Sequence, residues 1–96
     1  MDDGEASKTG ARVRVTGRVQ GVGYRAWVRD EALRLDLQGW VRNDPDGAVS
    51  AVLHGSAEAV DRMVARMADG PALAAVDEVQ VSDEAASAGP GFEIRR

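Results

Sequence analysis

Residues 17–25 read G-R-V-Q-G-V-G-Y-R, three glycines and two arginines set between two differently patterned stretches. Upstream, A-R-V-R-V-T-G-R-V (11–19) alternates, with Val13 and Val15 on one face and Arg12, Arg14 and Thr16 on the other. That is a strand with one buried and one wet face. Downstream, Y-R-A-W-V-R-D-E-A-L-R-L (24–35) places Tyr24, Val28, Ala32 and Leu35 on one side of a helix. The apolar period changes inside the quoted stretch, so the stretch joins a strand to a helix. Glycine reaches dihedrals closed to other residues. Gly21 and Gly23 can therefore turn backbone N–H groups inward as a nest for an anion, with Arg25 adding a charge-assisted contact. The unpaired amides of the helix start lie in the same place. Read from these residues alone, a glycine-softened turn with a solvated Arg25 stays equally open.

The rest of the chain completes the element order. L-Q-G-W-V-R-N turns extended, D-P-D-G signals a turn, and A-V-S-A-V-L-H is extended again, predicting a hairpin over 38–54. Ser56 is placed to cap a second helix with Glu58 in its first turn. Val60, Met63, Val64 and Met67 make its apolar stripe, the two methionines reading as core filler, and Gly70-Pro71 ends it. A-V-D-E-V-Q-V-S (75–82) predicts a further strand in which Val76 has the opposite parity to Val79 and Val81, so a bulge is expected near Asp77. After a polar loop, F-E-I (92–94) gives a short last strand with Phe92 and Ile94 pointing the same way. The pattern predicts an α+β fold, a ferredoxin-like βαββαβ two-layer sandwich with two helices packed on one antiparallel sheet and a short extra C-terminal strand. Right-handed crossovers place strand one beside strand three at the centre. A parallel alignment of these two, with strand two beside strand three, is expected to bring Asn43 near the glycine-rich loop.

Composition limits the chemistry. The 96 residues suit one domain and hold no cysteine, which removes disulfides, thiol nucleophiles and thiolate metal sites. Residues 1–10 are polar and read as a disordered tail before a domain spanning 11–96; no apolar signal segment or 18-residue apolar run is present, and a cytoplasmic location is expected. Residues 11–42 carry seven arginines against three acids, whereas residues 43–96 carry four arginines against ten. A basic first half suits steering of a small anion or, more weakly, contact with nucleic acid, and an ordinary solvated face is the commoner case. His54, the one histidine, has no second histidine or cysteine to complete a zinc site and reads as a surface or edge residue. No serine has a persuasive histidine partner, G-x-x-x-x-G-K-[ST] is absent, and D-P-D at 44–46 reads as a turn rather than a magnesium site.

Taken together, G-R-V-Q-G-V-G-Y-R at 17–25 and G-W-V-R-N-D-P-D-G-A-V-S-A-V-L-H-G at 39–55 resemble the acylphosphatases, in that family's order and spacing. The helices and the F-E-I-R ending extend the resemblance over residues 11–96. It implies hydrolysis of small acyl phosphates to a carboxylate and inorganic phosphate by a monomer needing no cofactor, metal, membrane or nucleic acid. It also implies that Arg25 binds the phosphate, that Asn43 positions the attacking water, and that the loop Arg18, Val19, Gln20, Gly21, Val22, Gly23 and Tyr24 forms the phosphate cradle. Tyr24 departs from the more usual phenylalanine and brings a hydroxyl that needs a partner. An acyl phosphate has a weakly basic leaving group, so a site without a general acid suits it. Two other readings stand beside this one: RNA binding on the sheet face, which would call for exposed aromatics along central strands, and a non-catalytic phosphate sensor.

Overall fold

The computed structural model describes residues 8–84 and 89–96. Its elements follow the order β1 (Lys8–Arg18), α1 (Tyr24–Arg34), β2 (Gln38–Asn43), β3 (Val49–Ser56), α2 (Ala57–Asp69), β4 (Ala75–Asp83) and β5 (Phe92–Arg95). The strands form one sheet in the order β4-β1-β3-β2-β5. Strands one and three are central neighbours, as right-handed crossovers require. They run antiparallel, however, not parallel, with Val15 opposite Val49. β2 is also antiparallel to β3 and places Asn43 opposite the same Val49. β1 and β2 therefore run the same way with one strand between them. Their C-terminal ends meet at one end of the sheet, and Val15 and Asn43 share a row across two strand spacings, about 10 Å.

The sheet is mixed rather than wholly antiparallel. β5 pairs with β2 in parallel, Phe92 opposite Gly39 and Ile94 opposite Val41, and the Gly39 N–H donates to the Gly91 carbonyl at 3.1 Å. β4 lies on the far edge, antiparallel to β1. β5 thus covers the free edge of β2 and finishes at the end where β1 and β2 finish. The bulge expected near Asp77 is present: Thr16 faces Glu78 while Gly17 faces Val76, leaving Asp77 as the extra residue. The first strand begins earlier than the polar composition suggests. Lys8, Thr9 and Gly10, assigned above to the tail, pair with Ser56, Gly55 and His54, because β3 offers a backbone edge to them irrespective of side-chain polarity. Residues 1–7 of the expected tail and 85–88 of the polar loop lie outside the described residues.

Both helices cover the same face of the sheet. Val13, Val15, Val41, Val49, Ala51 and Leu53 from the strands meet Tyr24, Val28 and Ala32 of α1 and Val60, Met63 and Met67 of α2. Both methionines are fully buried, as the stripe predicts, each worth roughly 1.5–3 kcal/mol of apolar burial. Ser56 caps α2 through its Oγ, which accepts the Ala59 N–H at 3.1 Å. The Tyr24 hydroxyl finds its partner in this core, donating to the Met67 carbonyl at 2.8 Å. Burial pushes the phenol's pKa upward, so it stays a neutral donor. The tyrosine therefore locks the start of α1 to the last turn of α2. On the other face, Trp40 has the guanidinium carbons of Arg12, Arg42 and Arg95 at 5.4, 5.1 and 4.8 Å from its ring centre. All three of these cations also pair with acids: Arg12 with Glu84, Arg42 with Asp44 and Arg95 with Glu93.

Candidate active site

The turn from β1 into α1 is built by two left-handed glycines. Gly21 and Gly23 each have φ of 77°, and a Cβ at either position would meet nothing within 4 Å. The backbone dihedral, not crowding, is what calls for glycine here. Gly23 is also the N-cap of α1 and offers no side chain to satisfy the helix start, whose first turn carries no acid. The first helical hydrogen bond runs from the Trp27 N–H to the Gly23 carbonyl at 3.1 Å. The N–H groups of Tyr24, Arg25 and Ala26 consequently have no intrahelical acceptor. They carry the positive end of the helix dipole to the place where the glycines open the backbone.

A cleft of about 210 Å³ lies over this turn, lined by Val19, Gly21, Gly23, Tyr24, Arg25, Ala26, Asn43 and Ile94. The volume is several times the roughly 30 Å³ of a water molecule. Arg25 reaches it from the first turn of α1, steadied by a 3.1 Å hydrogen bond from Nη1 to the Arg95 carbonyl of β5. None of the ion pairs among the described residues includes Arg25, so a helix-surface salt bridge does not explain it. Asn43 enters from the end of β2, and its Oδ1 is buried with no hydrogen-bond partner among the described residues. An orphaned buried acceptor ordinarily costs about 1–3 kcal/mol, so its natural complement is a donor held in the cleft.

The remaining residues expected in the cradle divide. Val19 and Tyr24 touch the cleft but send their side chains into the core, being 1% exposed each. Arg18, Gln20 and Val22 do not line it. Arg18 is exposed, Val22 packs on the core, and Gln20 turns toward the β2–β3 hairpin. Two lining residues, Ala26 and Ile94, were not singled out from the sequence. Ile94 had a partial signal, its shared parity with Phe92, but its neighbour depends on which edge β5 joins. His54 sits half-buried in β3, opposite Gly10 and Gln38 and away from the cleft lining.

Behind Asn43, both carboxylates of the hairpin turn are tied. The Asp44 carboxylate meets Arg14 at 3.1 Å, Arg42 at 3.2 Å and the Ser50 hydroxyl at 2.5 Å. Asp46 pairs with Arg14 and accepts the Ala48 N–H at 3.1 Å. The Arg14 hydrogen bond, seconded by that amide, lowers the Asp46 carboxyl pKa below its usual value. Asn43 is thus not spent on stabilising the turn, since the two aspartates do that.

A family model for acylphosphatases matches residues 11–94. The chain is 57% identical over 75 residues to an acylphosphatase of Alcanivorax borkumensis, covering 78% of this chain and 82% of that one. It is 56% identical over 69 residues to an acylphosphatase of Rhizobium etli, covering 72% and 73%. Among solved structures, an acylphosphatase from Coxiella burnetii superposes with a TM-score of 0.91 at 34% identity, over 99% of this chain and 100% of that one.

Proposed function

This chain belongs to the acylphosphatase family, enzymes that hydrolyse acyl phosphates, and we propose that it does so with a loop-and-arginine phosphate clamp and an asparagine-held water. The substrate phosphoryl group lies over Gly21–Gly23, its oxygens taken by the free amides at the start of α1 and by the Arg25 guanidinium. Arg25 suits this because its planar fork pairs two oxygens at once. Asn43 accepts a hydrogen bond from a water through Oδ1 and holds it over phosphorus. The water oxygen forms the new bond to phosphorus while the bond to the acyl oxygen breaks. The carboxylate departs with the electron pair, and the water's proton passes to a phosphoryl oxygen. Asn43 is no base, and this route needs none. Most of the catalysis is then positioning and electrostatics.

The observation that carries this reading is the buried Oδ1 of Asn43, without a partner among the described residues, in the cleft that also holds Arg25. The cleft brings Arg25 and Asn43 of the same chain together, and we propose that a monomer suffices. Arg25 and the helix start supply the positive charge, and we propose that no metal is required. The test is turnover of acetyl phosphate in the presence of a chelator, with a simple phosphate monoester as control. Rapid loss of the acyl phosphate with little monoester hydrolysis is expected. No turnover of any acyl phosphate by folded protein overturns the reading.

A further inference from the structure

The two halves of the proposed site come from loops far apart in sequence, and in the sheet β3 separates the strands that carry them. One side chain joins them. Gln20 Nε2 donates to the Asp44 carbonyl and to the Ala48 carbonyl, both at 2.9 Å. These are the only side-chain hydrogen bonds between loop 18–23 and the hairpin turn among the described residues. Gln20 stands between Val19 and Gly21, which both line the cleft, and Asp44 follows Asn43 directly. The same two acceptor residues are already locked to each other, the Asp44 N–H donating to the Ala48 carbonyl at 2.8 Å. The amide thus grips a rigid part of the hairpin rather than a loose one.

We propose that Gln20 is a positioning residue that fixes the phosphate loop against the hairpin and so sets the placement of Asn43 relative to Arg25. Its side chain does not line the cleft. Both its amide hydrogens are spent on the two carbonyls, which leaves no donor for a phosphate oxygen. The inference rests on the clamp-and-water reading above, and its closing experiment is built to fail separately from it.

Gln20→Met keeps the length and removes the donors, whereas Gln20→Glu keeps the shape and turns a carboxylate toward two carbonyl oxygens. Loosening one half of a site against the other is expected to lower kcat for acetyl phosphate about tenfold or more in the methionine variant, and further in the glutamate variant. Inhibition by inorganic phosphate, which needs the cradle alone, is expected to stay within about twofold in Gln20→Met. A folded Gln20→Met protein with unchanged kcat overturns the proposal. Equal losses in kcat and phosphate affinity also overturn it, since they place Gln20 in the cradle itself. An amide-resolved NMR titration with inorganic phosphate decides the brace without any turnover. In the parent, phosphate is expected to shift the amides of Asp44, Asp46, Gly47 and Ala48 along with those of Gly21–Tyr24. In Gln20→Met the hairpin set should fall silent, and hairpin shifts equal to the parent's overturn the brace. A parent that hydrolyses no acyl phosphate sinks the hydrolase reading and leaves this titration standing.

Discussion

The two loops at the C-terminal ends of β1 and β2 treat their polar groups in opposite ways. The hairpin turn has its carboxylates saturated: Asp44 has Arg14, Arg42 and Ser50, Asp46 has Arg14 and the Ala48 amide, and two of the turn's carbonyls have Gln20. The β1–α1 turn leaves three helix-start amides without intrahelical acceptors, an N-cap without a side chain and an arginine that pairs with no acid among the described residues. Asn43 lies on the border, its backbone in β2 and its Oδ1 orphaned. A folded chain satisfies nearly all its buried polar groups, so unpaired groups gathered in one cleft point to a ligand, and the saturated turn beside them supplies the rigid support. If that division is right, substitutions on the open side should cost activity and those on the saturated side should cost little.

The sharpest break falls on Arg25. Arg25→Ala removes the one side-chain cation of the cleft lining, and truncating a close charge contact commonly costs roughly 2–5 kcal/mol. Both kcat/KM for acetyl phosphate and inhibition by inorganic phosphate are expected to fall together, with melting little changed. Arg25→Lys should recover little, because an ammonium lacks the fork. Near-normal phosphate inhibition in folded Arg25→Ala would remove the arginine from the clamp.

Asn43→Ala should separate the two quantities that Arg25 joins. The contact to water matters chiefly on the way to the transition state, so turnover should drop by around 3 kcal/mol, a hundredfold or more, while phosphate inhibition persists. Removing the amide also removes the orphaned acceptor, so the melting temperature should hold or rise. Asn43→Asp should fail as well, since its negative charge would face the phosphate. Paired steady-state kinetics and a phosphate titration check this, and retained turnover would rule out the assigned role.

Much of this division could be read from the residues. Alternation gave β1, D-P-D-G gave the hairpin turn, and the parity break at Val76 gave the bulge at Asp77. Those signals are local, set by the side-chain period or by turn chemistry. What escaped was fixed by distant partners. A four-residue strand such as β5 has too short a pattern to reveal which edge it joins or in which direction, so Ile94 could not be placed in the cleft. Gln20 reads from the sequence as part of the phosphate cradle, because its acceptors are backbone carbonyls 24 and 28 residues away. The direction of β1 against β3 was misjudged, yet the meeting of Asn43 and the glycine loop follows from the observed antiparallel pairs.

A milder disturbance of the open side is Gly21→Ala. The new methyl group has free space, so the whole effect comes from φ at 77°. Holding an L-residue there costs roughly 1–2 kcal/mol, which the loop can escape by leaving the left-handed region. Phosphate must then supply that energy on binding, an affinity loss of about tenfold. Calorimetry beside a thermal melt tests this: affinity equal to the parent's would mean the glycine serves the turn and not the anion.

The smallest effect belongs to the saturated side, at Asp46. Asp46→Asn keeps an acceptor for the Ala48 amide and removes only the charge facing Arg14. Asp44 still holds Arg14, Arg42 and Ser50, so Asn43 keeps its support and kcat should stay within about twofold of the parent. The charge should instead show in stability against pH. Because the folded carboxyl's pKa is lowered, its contribution is present above the unfolded value near about 3.9 and is lost as pH falls through the lower folded value. The variant should therefore melt slightly below the parent at neutral pH, and the gap should close as acid protonates the parent's Asp46. Added salt should narrow the neutral-pH gap as well, since the pair is exposed. A gap that persists unchanged into acid would assign the loss to the turn's geometry rather than to the ion pair. A large fall in kcat at neutral pH would break the contrast itself, because the supporting turn would then be working at its limit rather than with spare contacts.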